Sequence, residues 1–335
     1  MQQQIVYSEN GDHYQCNDTL ISRISLPTPF PVGPVNVYLI RQNDRTTLFD
    51  TGPNEEEASQ LLQDGLDLFG VDCIHNIVLS HNHFDHSGLT NKLVEQYGSR
   101  VFLHPEAKDY VSTDGADIKR QVFSEIFQGA GFPKETVDFI DHVFAGYQVY
   151  GCKVDPKHLT YVGEGNNEDL GGNVIHCPGH SEDLIALDIG SILLCGDVFW
   201  KDKTPNPFFS RGNENRGLKA FLETYKKMYD REVGLVLPGH GSHIENHRDY
   251  IDFVSQHHEH RVRQVIESLS EGQEKSAYEI IHDLFEERIE NGESIADAYF
   301  LGLAEVLGHT ELLIEQNVVS ARKHKGVILY KLKSP

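Results

Sequence analysis

The sequence lacks a long apolar run and has little cysteine, and both absences exclude classes of protein. A transmembrane helix needs about 18 consecutive apolar residues, and no such run occurs among the 335 residues. The first ten residues, MQQQIVYSEN, have neither the basic start nor the apolar core of a secretory signal. Five scattered cysteines without a CxxC pair argue against a disulfide framework and a structural zinc knuckle. We therefore expect a cytoplasmic protein with no membrane partner.

Basic side chains are also scarce in this sequence. There are 29 lysines and arginines against 51 aspartates and glutamates, which gives a net charge of −22. This balance disfavours an extended nucleic-acid interface, because phosphate binding needs a positive face. Histidine, in contrast, is plentiful at 19 residues. Neutral imidazole is the commonest side-chain ligand of transition metals, so the clustering of the histidines is informative.

Apolar runs of strand length alternate with amphipathic segments over most of the chain. This alternation favours an α/β layered architecture. The apolar runs predict strands over residues 35–40, 46–49, 74–79, 100–103, 159–162, 173–177, 184–189, 191–195 and 233–237. Helical spacing predicts helices over residues 54–68, 89–97 and 217–228.

Two further segments are mostly helical in pattern. Residues 107–145 have helical spacing with several aromatic side chains, which predicts a helical insertion. After residue 248, helices are predicted over residues 250–269, 276–288 and 295–316, and a hairpin of residues 318–320 and 327–332 closes the chain. Three helices followed by a hairpin resemble a winged-helix module. We predict a large first domain over residues 1–248 and a winged-helix-like domain over residues 249–335.

The segment His81-Asn82-His83-Phe84-Asp85-His86 is the strongest chemical signal in the chain. It directly follows a predicted strand and precedes a predicted helix. Side chains at i and i+2 of an extended strand end point the same way, so His81 and His83 can reach one metal ion. The chain then turns into the helix, which lets Asp85 and His86 face a second ion nearby. Four ligand-type residues at this spacing predict a metal site.

Three later loops each offer one more ligand at a strand end. His180 lies in Pro178-Gly179-His180-Ser181, Asp197 follows Cys195-Gly196, and His240 lies in Pro238-Gly239-His240-Gly241. A catalytic zinc needs at least three protein ligands and an open position, and these loops can supply the missing ones. Each of the three strand ends carries one ligand-type residue next to a glycine. Such a repeated pattern is not expected to arise by chance.

The ordered set HxHxDH, PGHS, CGD and PGHG resembles the metallo-β-lactamase superfamily of hydrolases, over about residues 20–245. The resemblance implies a four-layer αββα sandwich with its metals at one edge between two sheets. It implies that the first metal is held by His81, His83 and His180. It implies that the second metal is held by Asp85, His86 and His240, with Asp197 bridging the two. It also implies that Asp50, in Leu48-Phe49-Asp50-Thr51-Gly52, supports the metal loop by hydrogen bonding.

The resemblance implies a dinuclear metal-dependent hydrolase. Two divalent ions, zinc with manganese or iron as the alternatives, would share a hydroxide that attacks an ester or thioester bond of a small acyl substrate. Asp85 would be the catalytic residue that orients this nucleophile and accepts its proton. Residues 198–209 follow Asp197, and their aromatic side chains suit an apolar acyl group. The candidate substrate-binding residues are Phe199, Trp200, Phe208 and Phe209.

Several alternatives remain open within the superfamily. His86 and Asp197 distinguish the chain from the broad-spectrum β-lactamases that use a cysteine, and His83 replaces the glutamate of the flavodiiron oxidoreductases. Persulfide dioxygenases carry the same HxHxDH motif around a single iron, so that activity is one alternative. A phosphodiesterase or endoribonuclease acting on single-stranded RNA is another. The third is an effector that keeps the metal site but acts by binding a ligand or partner.

The C-terminal segment bears on the choice of substrate. Acidic residues outnumber basic ones beyond residue 250, which disfavours duplex binding. Five basic residues nevertheless concentrate on the terminal hairpin, and they are Arg322, Lys323, Lys325, Lys331 and Lys333. They fit either a phosphate-bearing substrate, such as RNA or a coenzyme A tail, or an edge hairpin protected by charge. A homodimer is an additional expectation.

Overall fold

A computed structural model describes residues 5–7, 12–111, 115–201, 203–207, 217–270, 272–290 and 295–333 of the chain. The chain divides into two units. The first unit comprises Met1–Gly115, Tyr147–Pro205 and Thr224–Ile251. The second unit comprises Ala116–Gly146, Asn206–Glu223 and Asp252–Pro335.

Strands and helices alternate through the first half of the chain, and long helices dominate its end. The strands are β1 (Ile5–Tyr7), β2 (His13–Cys16), β3 (Thr19–Leu26), β4 (Val35–Gln42), β5 (Arg45–Phe49), β6 (Asn76–Val78), β7 (Arg100–Leu103), β8 (Leu159–Tyr161), β9 (Gly165–Asn167), β10 (Gly172–His176), β11 (Ile185–Ile189), β12 (Ile192–Leu194), β13 (Leu235–Leu237), β14 (Lys275–Ser276), β15 (Val319–His324) and β16 (Val327–Leu332). The helices are α1 (Glu56–Leu68), α2 (Phe84–Ser87), α3 (Thr90–Tyr97), α4 (Lys108–Val111), α5 (Gly115–Gly129), α6 (Lys134–Tyr147), α7 (Gly217–Tyr229), α8 (His247–Ser268), α9 (Ala277–Glu290) and α10 (Ile295–Glu315).

The first unit contains two sheets. The first sheet has the order β1-β2-β3-β4-β5-β6-β7-β8, antiparallel from β1 to β5 and parallel from β5 to β8. Asn43 makes the tight turn between β4 and β5 with a φ of 53°, a conformation that asparagine tolerates better than most residues. The second sheet has the order β13-β12-β11-β10-β9, and its β12 and β13 are parallel.

Strand β4 shows how the first sheet separates two apolar layers. Its residues alternate between the two faces, so Val37 and Leu39 pack with the buried side of α1, whereas Tyr38 and Ile40 pack against residues of the second sheet. The cluster between the sheets draws on every strand from β10 to β13, for example Leu187 of β11. Both faces of β4 are therefore buried, which explains its nearly continuous apolar sequence.

The second unit has its own apolar core, formed by helices and a small sheet. Phe127 of α5, Val265 of α8, Ile280 of α9 and Leu303 of α10 all lie in one buried cluster. The sheet has the order β14-β16-β15, and β15 pairs with β16 in an antiparallel hairpin. Side chains at these positions are almost fully excluded from solvent, so the unit has a continuous core.

The αββα sandwich with a C-terminal helical region, predicted from the sequence, is confirmed by these sheets and helices. Strands β1, β2 and β3 were not predicted, although β3 pairs with β4 over its whole length. The domain boundary after residue 248 and the winged-helix class of the C-terminal region stay predictions, and residues 116–146 of the predicted insertion belong to the second unit. Among the described residues, no helix is both long and apolar enough to cross a membrane.

The core between the sheets yields a stability prediction. Replacing Leu187→Ala removes a side chain that is 1% exposed and leaves a cavity, so we expect a loss of about 2–5 kcal/mol. Leu68→Ala is the matched control, because Leu68 is 80% exposed on α1 and should change stability by less than about 0.5 kcal/mol. Urea unfolding is followed by fluorescence of Trp200, the single tryptophan, which lies in the first unit. Equal midpoints for the two variants would contradict the sandwich core.

Candidate metal centre

Asp50 is a buried residue that holds the loop carrying the HxHxDH segment. It follows β5 with a φ of 62°, a left-handed conformation that non-glycine residues adopt rarely and that clusters at functional sites. Its carboxylate accepts hydrogen bonds from the Ser80 backbone N–H at 2.7 Å, from the Ser80 hydroxyl at 2.8 Å and from His86 Nδ1 at 2.7 Å. The end of β5 thus fixes the loop that follows β6.

The HxHxDH segment lies where β6 ends and the chain turns into α2. His83 occupies the residue before the helix with extended backbone angles, and Asp85 and His86 lie within the first turn. Asp85 and His86 are buried together with His81, which precedes the turn. The change from strand to helix brings all four ligand-type side chains to the same edge of the sheet.

His81, His83 and His180 form the first donor set. His81 Nε2 lies 2.9 Å from His83 Nδ1, and His180 Nε2 lies 3.1 Å from the same nitrogen. His180 comes from the loop after β10, so this set joins the two sheets of the first unit. Three imidazole nitrogens within 4.8 Å of one another are close enough to reach one zinc-sized ion, where each bond is about 2.0–2.1 Å.

Asp85, His86 and His240 form the second donor set. His240 Nε2 lies 3.3 Å from Asp85 Oδ2, and His86 Nε2 lies 3.7 Å from the same oxygen. His240 follows β13, so a second loop of the second sheet contributes here. All three side chains are buried, and their donor atoms lie within 4.8 Å of one another.

Asp197 lies between the two donor sets. Its Oδ2 is 3.3 Å from His180 Nε2 of the first set, and its Oδ1 is 3.3 Å from His86 Nε2 of the second. The residue sits in a short turn after β12, next to Gly196, whose φ is 50°. One carboxylate facing both sets can bridge two ions.

Hydrogen bonds behind the histidines fix the nitrogen that each presents. His86 Nδ1 donates to Asp50, and His240 Nδ1 donates to the Pro34 carbonyl at 2.8 Å. His81 Nδ1 lies 2.9 Å from the Ser80 hydroxyl. Such partners hold the tautomer and ring orientation of metal-ligating histidines. In His86 and His240 they leave the Nε2 lone pair facing the centre of the site.

The donor atoms fit a divalent metal ion. His86 Nε2, His240 Nε2 and Asp197 Oδ1 are buried. Although His86 Nε2 lies 3.3 Å from Asp197 Oδ1, none of the three atoms makes a hydrogen bond of good geometry among the described residues. Leaving such polar atoms unsatisfied costs free energy, so a structure that buries three of them together is expected to pair them with a cation. Imidazole and carboxylate donors suit zinc, manganese and iron.

The charges of the site attract a cation. Burial disfavours the ionised forms of Asp85 and Asp197, but the facing imidazoles hold the pKa of both carboxyl groups well below the usual range. Burial also disfavours the protonated form of His86, yet the neighbouring carboxylates, first Asp197, raise its pKa well above the ordinary value. The pKa of His240 is raised by the same carboxylates against the effect of burial. Negative potential therefore persists at the donor atoms.

Two residues of β4 support the His240 loop, and they were not predicted from the sequence. Asn36 donates through Nδ2 to the Pro238 carbonyl at 3.1 Å and to the Gly241 carbonyl at 2.8 Å. The Tyr38 hydroxyl donates to the same Pro238 carbonyl at 2.7 Å. An asparagine within an otherwise apolar strand was the signal that could have identified this support.

A second buried network connects the His180 loop with the HxHxDH segment. Asn82 Nδ2 donates to Asp183 Oδ1 at 2.6 Å and to the Ser181 hydroxyl at 3.3 Å. The Ser181 hydroxyl also hydrogen-bonds the Asp183 carboxylate. Sequence reasoning missed this network, because Asn82 and Asp183 are about 100 residues apart and only the fold brings them together.

The predicted aromatic wall has a mixed outcome. Phe199 is fully buried and packs against Tyr225 and Tyr250, so it contributes to the core of the first unit. Trp200 packs against His240 with ring centroids 4.9 Å apart and the rings tilted by 31°, which places it beside the second donor set. Phe208 and Phe209 lie outside the described residues.

The two cysteines beside the ligand loops are core residues, as predicted. Cys177 and Cys195 are fully buried, and burial raises the pKa of Cys177 to about 12. Burial also raises the pKa of Cys195 well above the ordinary value. A thiol that stays protonated at neutral pH is not a nucleophile.

Comparison with known proteins assigns the family. A family model described as the metallo-beta-lactamase superfamily matches residues 30–248, which contain every ligand-type residue of the site. The chain belongs to the metallo-β-lactamase superfamily. The family and the class of metal-dependent hydrolase expected from the sequence motifs are thereby confirmed.

A relative and two solved structures match nearly the whole length of this metallo-β-lactamase superfamily member. "Probable metallo-hydrolase YqjP" of Bacillus subtilis (strain 168) is 26% identical over 318 residues, which are 92% of this chain and 96% of the relative. A metallo-beta-lactamase family protein from Thermus thermophilus is 24% identical with a TM-score of 0.75, covering 93% of this chain and 98% of that one. A beta-lactamase domain protein from Burkholderia ambifaria is 22% identical with a TM-score of 0.81, covering 98% and 96%. The two structures show a shared fold.

Gly239 gives a steric test of the superfamily site. A Cβ at this position would lie 2.5 Å from Asp197 Oδ1 and 2.6 Å from His86 Cε1, so Gly239→Ala must displace a donor. We expect the affinity for the metal to fall at least tenfold, as it does when a group that positions a metal ligand is mutated. Gly146→Ala on α6 is the control, because its Cβ meets no atom within 4 Å. Both variants are titrated with Zn²⁺ against a chromophoric chelator, and equal affinities would contradict the arrangement.

The raised pKa values of His86 and His240 predict how metal binding depends on pH. Because their pKa values are raised, His86 and His240 keep their protons to a higher pH, and a metal ion must displace these protons in order to bind. The affinity for the metal therefore rises as the pH increases through these pKa values, and it falls as the solution is acidified. We expect the apparent dissociation constant for Zn²⁺ to increase by about tenfold per pH unit for each displaced proton between pH 8 and pH 6. Competition with a chelator of known pH dependence measures it. A constant that does not change over this range would contradict the electrostatic account.

Proposed function

We propose that the protein is a dinuclear metal-dependent hydrolase that cleaves an ester or thioester bond of a small acyl substrate. The observation that carries the proposal is the convergence of two three-residue donor sets on Asp197, which faces both. The first ion would be held by His81, His83 and His180, and the second by Asp85, His86 and His240. Zinc is the proposed metal, because imidazole-rich sets with one or two carboxylates suit it.

When bound, two divalent ions would supply a hydroxide at neutral pH and a Lewis acid for the scissile carbonyl. Asp85 is proposed to orient the nucleophile and to accept its proton. Its side chain is 12% exposed, against 6% for Asp197, so it is the carboxylate of the site that is more accessible to water and substrate. Its low pKa keeps it ionised and able to accept a hydrogen bond at neutral pH.

The surroundings of the second donor set support an acyl substrate. Trp200 packs against His240 and is only half-buried, so part of its indole is accessible beside the site. Lys203 Nζ lies 4.8 Å from the centre of the Trp200 ring and adds a positive charge beside this apolar surface. An indole with a neighbouring ammonium group suits an acyl chain joined to an anionic carrier. The net charge of −22 disfavours a long polyanion.

Single-stranded RNA is the second candidate substrate, because the terminal hairpin exposes basic residues. Lys323, Lys325 and Lys331 are exposed on β15, β16 and the turn between them. Arg322, in contrast, is paired with Glu274 through both Nε and a terminal nitrogen. This ion pair reduces the positive charge available for phosphate, so the structure supports RNA less well than an acyl substrate.

The two remaining alternatives are a persulfide dioxygenase and a ligand-binding effector. A mononuclear-iron persulfide dioxygenase would need one metal ion, whereas two donor sets converge here. A ligand-binding effector would keep the metals without turnover. Two donor sets that include an ionised Asp85 support hydrolysis over either alternative.

The substrate class is tested by assaying the zinc-loaded protein on two panels. One panel contains acyl esters and acyl thioesters, including coenzyme A thioesters, and the other contains single-stranded RNA and an activated phosphodiester. His83→Ala serves as the blank for contaminating enzymes. We expect turnover of esters or thioesters that His83→Ala abolishes. RNA cleavage that is lost in His83→Ala would overturn the acyl proposal, and no turnover on either panel would favour the effector.

The role of Asp85 is tested with Asp85→Asn. The amide keeps the shape but cannot accept the proton, so we expect kcat on the best substrate to fall by about 10²–10⁴-fold with little change in KM. Bound zinc is counted on the same samples. A fall in activity that only parallels a loss of zinc would assign Asp85 a ligand role and no proton-accepting role.

A further inference from the structure

The second unit contains a buried group of histidines that the proposed hydrolase does not use. His257 and His258 lie on α8, and Glu305 and His309 lie on α10. His258, Glu305 and His309 are 3%, 5% and 0% exposed, and His257 is half-buried. Charged and imidazole side chains are seldom buried together without partners, so this cluster needs an explanation.

A chain of hydrogen bonds fixes the nitrogen that His258 presents. His309 Nδ1 lies 2.6 Å from the backbone carbonyl of Glu305, which can only accept, so His309 Nδ1 is the donor. His309 Nε2 is then an acceptor, and it lies 3.2 Å from His258 Nδ1. His258 must therefore carry its proton on Nδ1. The lone pair of its Nε2 is therefore available to a ligand, which is the arrangement found in metal-ligating histidines.

Both imidazoles of α8 have an unused ring nitrogen beside Glu305. His258 Nε2 and His257 Nε2 are buried atoms without a hydrogen-bond partner in the part of the chain that the structure describes. His257 Nε2 lies 3.7 Å from Glu305 Oε2. The donor atoms of His257, His258 and Glu305 lie within 4.8 Å of one another. Ligands of a tetrahedral zinc ion are about 3.4 Å apart, so small side-chain rotations suffice to close the set.

We propose that His257, His258 and Glu305 form a second metal site, which binds one divalent transition-metal ion of the zinc type and ties α8 to α10. Two imidazoles and one carboxylate are a common donor set for such ions, and water would complete the coordination. His309 is a positioning residue, since it contacts His258 and no proposed metal. The site is independent of the proposed hydrolase site, because all its residues belong to the second unit.

A buried ion pair between Glu305 and Arg261 is the competing explanation of this cluster. Arg261 Nε lies 3.2 Å from Glu305 Oε2, and its guanidinium stacks over Phe285 at 4.5 Å. That pair accounts for the charge of Glu305. It does not account for the two histidine nitrogens, which no group of the ion pair contacts within hydrogen-bond distance. The hydrogen bond from Arg261 is made to Oε2 of Glu305, and it does not involve Oε1 of the same carboxylate.

Counting metal ions per chain separates the two explanations. The full-length protein is stripped with a chelator, reloaded with Zn²⁺, gel-filtered and analysed by plasma mass spectrometry against protein concentration. The test variants are His257→Ala, a half-buried position that the fold should tolerate, and Glu305→Gln, which keeps the side-chain volume. His260→Ala is the matched control, because His260 is an exposed histidine on the same helix. Circular dichroism establishes that each variant is folded.

We expect the wild type and His260→Ala to hold one zinc ion more per chain than His257→Ala and Glu305→Gln. The comparison does not depend on how many ions the hydrolase site holds, because its residues are unchanged in all four proteins. Equal zinc contents in the four proteins would overturn the proposal and leave the cluster as an ion pair. A loss that also occurs in His260→Ala would overturn it as well, since it would indicate binding by surface histidines in general.

Discussion

The crowding of buried ligand atoms around Asp197 is the constraint on which the rest of the first unit depends. Two carboxylates and five imidazoles meet there with little solvent. The carboxylates raise the pKa of His86 despite its burial, which is the response expected of a site that lacks positive charge. The same negative potential favours a divalent cation. An ion held there would link metal binding and chemistry to the folded arrangement of these loops.

The sandwich brings the ends of several strands together at the edge where the ligand residues lie. Each ligand follows a strand, and backbone or side-chain groups of neighbouring strands hold the loops. Asp50 fixes the β6–α2 loop through three hydrogen bonds, and Asn36 and Tyr38 fix the loop after β13. Gly239 leaves the room that Asp197 and His86 occupy. Precise positions of this kind come from rigid elements more readily than from flexible loops.

The motifs predicted the residues that meet at the site but not the groups that hold them. HxHxDH could be recognised because its spacing is local, and the αββα layers followed from apolar runs and the resemblance. Strand β3 escaped prediction because polar residues such as Arg23 interrupt it, and only its pairing with β4 reveals it. Asn36, Asp183 and the His257–His258–Glu305 cluster depend on contacts across long stretches of chain, which no local pattern encodes. Phe199 was predicted at the substrate and is buried, because aromatic character alone does not distinguish a pocket wall from a core residue.

The central claim is that seven side chains of the first unit hold two metal ions that share Asp197. Anomalous diffraction at the zinc absorption edge, from crystals of the zinc-loaded full-length protein, tests it most directly. The account predicts two anomalous peaks in the first unit, both within bonding distance of the Asp197 carboxylate. The surrounding ligands would be His81, His83 and His180 for one peak and Asp85, His86 and His240 for the other. A single peak in the first unit, or peaks coordinated by other side chains, would contradict it.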